Sequence, residues 1–391
     1  MSASGSVSST RIESLTEVDA GDWNALAGEN PLLRHEFLLA METSGCVGPG
    51  TAWRPCHLLL NDTTGRLTAA LPLYFKDDSR GEFIFDWSWA DAYERASLPY
   101  YPKLVSAVPF TPATGARLLV HPQADPGDAA DRLVAEALGI ARASGASSWH
   151  VLFPIESERA TFERAGLLER KGCQFHWHNH GYADFEAFLG RFSSAKRKKA
   201  KRERRRIAEA GIRFEHLKGD EVSAREWDAV YEFYSNTFFR RGRAPYLNRE
   251  FFDAISRSMP DNVLVILARY EDQPIAAAIC FKGGDTLYGR YWGSVADFHS
   301  LHFETCYYQG IEHCIREGLG RFEPGTQGEH KISRGFTPTP TWSFHWLREP
   351  AFYDAIADYL VRETAHVDAY MAHLDEHLPY RQDGRKPMRG A

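Results

Sequence analysis

The chain has 391 residues, 43% of them hydrophobic and 25% charged, and a net charge of −6. That length exceeds what one core usually organises and points to two domains, and the composition excludes a disordered or fibrous chain. No apolar run approaches the ~18 residues that span a bilayer, the Ser-rich first ten residues lack the apolar stretch of a secretion signal, and the six cysteines include no C-x-x-C pair; the expectation is a cytoplasmic protein with reduced thiols rather than a disulfide or zinc scaffold.

In chain order, 57–60 and 66–75 read as a hairpin around the turn at 61–65. The stretch 85–101 mixes rings with carboxylates, and Trp87, Asp91 and Tyr93 within it suit a pocket for an acceptor amine. An amphipathic helix at 128–143, a strand at 148–153, a short helix at 156–165 and a strand at 173–182 follow. His176, His178 and His180 alternate along the last strand and share one face. No acid or thiol stands beside them at ligand spacing, so no metal is assigned.

Residues 191–206 hold ten Lys or Arg against the single Glu203, which leaves the rest of the chain acidic. Ser193 and Ser194 as N-caps and Gly211 beyond the end predict a helix here. Its cations surround it, so it is expected to be a solvated connector or a phosphate-binding element, with Lys198, Lys199 and Arg202 as the contacts. Beyond it the order of elements repeats. A hairpin at 262–270 and 274–282, a strand at 286–292, a helix at 301–318 and strands at 321–324 and 341–347 are predicted. The helix carries Phe303, Cys306, Tyr307, Ile311, Cys314 and Ile315 at the spacing of one buried face. A duplicated α/β domain of mixed sheets is the implied fold class, divided as 1–190, a basic connecting helix at 191–211, and 212–391 with the active site.

Residues 325–336, GTQGEHKISRGF, place three glycines beside Glu329, His330, Lys331 and Arg334. Such density of polar chemistry on permissive backbone suits close approach to a substrate. The alternative is a solvated surface turn.

Eight segments, among them GEFIFDWSWADAYERA from Gly81, FHWHNHGY from Phe175, AKRKKAKRERR from Ala195, LYGRYWG from Leu287, LHFETCYYQGIEHCI from Leu301 and GTQGEHKISRGF from Gly325, carry a resemblance that runs from about residue 30 to 363. The chain resembles the peptidoglycan biosynthesis/recognition family, a FemAB-like branch of the GNAT acyltransferase superfamily. That resemblance implies tandem GNAT-like domains and transfer of an acyl or aminoacyl group from a thioester or ester to an amine, with no tightly bound cofactor. It implies backbone oxyanion donors near 287–292, beside Arg290 and Tyr291, with Tyr291 as a proton donor to the leaving group. The family's Lys in an F-K-x-x-F-G segment corresponds loosely to Lys331 in KISRGF, where His330 replaces the aromatic residue. Glu329 and Arg334 then become partners of the lysine and of a substrate anion.

Amine attack on such a carbonyl also needs a proton acceptor. Glu304, at the start of the 301–318 helix and opposite its apolar stripe, is the candidate. After LYGRYWG the chain reads SVADFHSLHFE, without the glycine turn that cradles a coenzyme pyrophosphate. The donor is therefore an acyl-CoA bound differently or an aminoacyl-tRNA, and the acceptor a small-molecule or peptide amine. Two other classes stay open: a non-catalytic module that recognises a cell-wall precursor or a protein, and an RNA-binding protein built on the basic helix. The oligomeric state is not legible.

Overall fold

A computed structural model describes residues 8–295, 298–326 and 328–381. Residues 1–7 of the Ser-rich start, Ala296 and Asp297 in the stretch read for a pyrophosphate turn, and Gln327 within 325–336 lie outside the described residues. The chain divides into two compact units. The first comprises Met1–Gly172, Tyr246–Met259 and Pro340–Asp368, and the second Cys173–Pro245, Pro260–Thr339 and Ala369–Ala391. The division is not a single cut in sequence. The helix Arg249–Ser258 follows the basic helix in the chain, yet it packs on the helix His35–Thr43 of the first unit, with Phe37 and Phe251 edge to face at 5.5 Å.

Within the first unit, Ser8–Ile12, His57–Asn61, Leu67–Leu71 and Leu119–Val120 form an antiparallel sheet. A second set of strands pairs Ser148–Leu152 antiparallel to residues 343–347 and parallel to Lys103–Ser106. The expected strand 66–75 stops at Leu71 and a new strand, Tyr74–Lys76, starts beyond Pro72, which has no N–H to give to a ladder. The helix Pro126–Ala143, capped by Asp125, lays Leu133, Val134, Ala137 and Ala141 on Leu58, Leu71, Leu104 and Trp149.

In the second unit, Arg213–Lys218, Val263–Tyr270, Gln273–Gly283 and Thr286–Ser294 run antiparallel in that order. Glu271 and Asp272, both at positive φ, make the tight turn of the central hairpin. Thr286–Ser294 then pairs in parallel with Arg321–Glu323, which pairs with His178 and Trp177. The strand Leu168–His178 ends earlier than expected because the Asn179 side chain accepts from the Gly181 and Tyr182 amides and turns the chain. Each unit thus carries a hairpin followed by a helix and a strand.

The basic helix spans Ser194–Glu209. Ser193 occupies the N-cap, but its side chain makes no capping bond, and Gly211 at φ +76° follows the end as expected. The helix is more than a solvated rod: Ala200, Glu203 and Ile207 form a buried stripe along it. The predicted 301–318 helix is present but interrupted. Leu301–Phe303 and Gln309–Glu317 are α-helical, and Glu304–Tyr308 between them forms a wider π turn.

Candidate active site

The strand Thr286–Ser294 is irregular on both edges. Against Gln273–Gly283, Ile279 faces Tyr291 and Cys280 faces Gly289, so Arg290 is an extra residue with no opposite number. Such a bulge bends a strand and re-aims its side chains. Against Arg321–Glu323 the parallel ladder ends at the pair Tyr288 and Glu323. Pro324 follows, which cannot donate to a ladder, and Gly325 at φ +89° leads the chain away. The paired register of the two strands ends there. A β-carbon on Gly325 would meet the Gly289 carbonyl oxygen at 3.5 Å and an Arg290 guanidinium nitrogen at 4.0 Å, both ordinary contacts, so it is the positive φ that favours glycine here.

The segment expected as an exposed catalytic loop is a short 3-10 helix, Glu329–Arg334, closed by Gly335 at φ +94°. Unlike the side chains of a solvated surface turn, Lys331 and Arg334 are 1% and 2% exposed. Each is tolerated because it has partners. The Lys331 ammonium donates to the Gly325 carbonyl and lies 5.9 Å from the centre of the Tyr307 ring. Burial pulls Lys331 down to about 7, with the Arg290 charge adding to that effect. Arg334 donates to the His330 carbonyl at 2.6 Å and to Glu203 at 2.8 Å, and lies 3.4 Å over the Phe303 ring. His330 is exposed, and its Nε2 is 2.9 Å from the Tyr307 hydroxyl. Glu329 faces outward and accepts from Tyr370 at 2.8 Å. It therefore does not hold the lysine.

Tyr291 is buried with its ring edge against Tyr234, and Arg290 is 5.3 Å from the Tyr291 ring centre. Glu304, expected on the open face of its helix, is 3% exposed. It begins the π turn, one turn beyond buried Leu301, and accepts from Arg204 Nε at 3.0 Å and from Gln309 at 2.7 Å. Burial raises its pKa above the ordinary carboxylate range despite Arg204. With Lys201, Arg204, Arg205, Ile207 and Phe214 it lines a groove of about 460 Å³. Lys198, Lys199 and Arg202 are not in that lining; they project from the exposed face of the basic helix. The structure thus brings Arg290, Tyr291 and Lys331 near the end of that ladder and gives Glu304 to a cationic groove. Glu203, the groove cations and Tyr307 were not among the expected site residues. The single acid in the basic run was the signal for Glu203.

In the first unit, Trp87, Asp91 and Tyr93 lie on the helix Trp87–Arg95. Trp87 and Asp91 are exposed one turn apart, but Tyr93 is core, its ring centre 4.0 Å from that of Phe352, and so cannot line a pocket. Neighbouring Asp86 is buried too. It accepts from Lys103 and from the Tyr100 hydroxyl, and Lys103 also donates to Glu82 at 2.9 Å. Burial pushes Glu82 up to about 7, whereas the Lys103 charge overcomes burial at Asp86 and holds it below its usual range. Among the described residues no group of His, Cys, Asp and Glu is arranged to hold a metal ion, and no helix is long and apolar enough to cross a membrane.

A family model described as peptidoglycan biosynthesis/recognition, FemAB-like, matches residues 14–382. No curated protein matches the sequence. Among solved structures, the C-terminal domain of a putative lysylphosphatidylglycerol synthetase from Agrobacterium fabrum is similar with a TM-score of 0.55 at 13% identity, over 89% of this chain and 97% of that one. L-PGS from Bacillus licheniformis is similar with a TM-score of 0.53 at 11% identity, over 88% and 97%. FemX gives 0.53 at 11% identity, over 90% and 100%. At these identities the likeness is one of fold, spanning nearly the whole chain.

Proposed function

The chain belongs to the FemAB-like peptidoglycan biosynthesis/recognition family, and from that premise we propose that it is an N-acyltransferase whose chemistry takes place where the ladder between Thr286–Ser294 and Arg321–Glu323 ends. The observation that carries this reading is the coincidence, in one place, of a bulged strand at Arg290, a bare backbone at Gly325 and a buried amine, Lys331, that burial has brought down to about 7. Backbone N–H groups at the bulge would face the developing oxyanion. The acceptor nitrogen forms its bond to the carbonyl carbon and gives its proton to neutral Lys331, and the carbonyl-to-oxygen bond of an ester donor breaks as Tyr291 protonates the leaving oxygen. Arg290 stabilises the negative charge of the adduct.

For the donor we favour an aminoacyl ester carried on tRNA, and hence a cytoplasmic enzyme. The chain has no glycine turn for a coenzyme pyrophosphate after LYGRYWG, and Lys198, Lys199 and Arg202 present three exposed cations along one helix. The family description supports a cell-wall precursor bearing a free amine as the acceptor.

The deciding experiment incubates the protein with a wall-precursor peptide and either charged tRNA or acyl-CoA, and follows amide formation by mass spectrometry. Amide formed from charged tRNA and abolished by Lys331→Ala is the expected result. Amide from acyl-CoA alone overturns the donor assignment. Full activity in Lys331→Ala overturns the site, and acceptor binding without turnover from any donor favours a recognition module.

A further inference from the structure

One acid interrupts the cationic run of the basic helix, and it does not face solvent. Glu203 is 6% exposed; its carboxylate accepts from the Tyr308 hydroxyl at 2.6 Å and from Arg334 at 2.8 Å. Arg334 uses a second nitrogen on the carbonyl of His330, four residues back in its own 3-10 turn, and lays its guanidinium on the Phe303 ring. Lys331 sits between those two points of attachment. A surface helix this polar has no need of an inward acid for solubility, and an apolar pair of similar volume would serve stability as well as a buried ion pair. What the ion pair supplies is a fixed geometry.

We propose that Glu203 is a positioning residue: through Arg334 it clamps the turn Glu329–Arg334, so that Lys331 is held toward the end of the ladder between Thr286–Ser294 and Arg321–Glu323, and it ties that turn to the helix that carries the donor-binding cations. This inference rests on the function proposed above. It predicts that the helix and the catalytic turn respond as one element, because both ends of the clamp are buried and neither Glu203 nor Arg334 can exchange its partner for water without unpairing the other.

The test compares Glu203→Gln with the double variant E203M/R334M. Glu203→Gln is expected to cut kcat roughly 100-fold, the scale of an ångström-sized misplacement, with KM for both substrates within about twofold of wild type. In the double variant two apolar side chains replace the pair, so the thermal midpoint is expected to return to near that of wild type while kcat stays low. Hydrogen exchange at Lys331, Gly335 and Phe336, whose amides close this turn, is expected to accelerate in both. If kcat recovers together with the midpoint, the pair is merely structural and the proposal fails. Unchanged exchange across 331–336 in both variants also overturns it. A wild-type protein that transfers no acyl group defeats the proposed function instead, and the exchange measurement still judges Glu203.

Discussion

A lysine that is 1% exposed beside an arginine is an expensive side chain to keep, and its cost is visible as a shifted proton affinity. Lys331 at about 7 is mostly neutral above that pH, so kcat is expected to rise through pH about 7 and level off. Replacing Lys331 by Arg, which stays charged, should leave a flat profile at a rate lowered by roughly 10²-fold or more. Tyr291→Phe is a milder change: the ring packing on Tyr234 survives and only a proton donor is lost, so folding should be unaffected while kcat falls by ~10²-fold with an ester donor. Both are read from pH–rate profiles of purified variants.

At the scale of elements, the bulged strand depends on how closely a helix approaches it. A β-carbon on Gly293 would lie 1.8 Å from the Phe233 carbonyl oxygen in the helix Ala224–Phe239. Gly293→Ala must therefore push helix and strand apart, at a cost of about 3 kcal/mol or more, and a denaturant titration should show it. The same helix is held at its start by a reciprocal pair between Ser223 and Glu226, so Ser223→Ala should cost about 1 kcal/mol and leave chemistry unchanged. The basic helix has a buried stripe and an exposed cationic face. Reversing Lys198, Lys199 and Arg202 to Glu should weaken tRNA binding and flatten its salt dependence, with little loss of stability, because those side chains are exposed.

For the molecule as a whole, the pH dependence of stability follows from groups the proposed chemistry does not use. Glu82 has its folded pKa raised from 4.5 to about 7 by burial. Between those values the folded state holds a proton that the unfolded state has lost, so stability is greatest below about 4.5 and declines as pH rises to about 7. Glu82→Gln removes this contribution, and the difference in thermal midpoint between variant and wild type should move in the variant's favour from pH 5 to pH 8. Lys103→Met should cost about 3–5 kcal/mol near neutral pH, since it strands the Asp86 carboxylate among buried groups, and less in acid, where that carboxyl takes up a proton.

The sequence by itself determined both hairpins, the amphipathic helices near 128–143 and 301–318 and the basic helix, because period, turn residues and glycine stops are local properties, whereas the helices Ala224–Phe239 and Pro350–Asp375 went unread. It also marked Lys331 and Arg334, since clustered polar residues beside glycine are visible without coordinates, whereas Arg290 was marked only by the family resemblance. Tertiary structure alone decided which of these are buried. Glu304 is inward because Arg204 of the basic helix lies against it, Tyr93 is core because Phe352 lies against it, and Arg334 is buried because Glu203, more than a hundred positions earlier, supplies its counter-charge. Local pattern reports what a side chain is able to do; its proton affinity and its partner depend on the distant groups that exclude water from it, and those are set only when the chain has closed on itself.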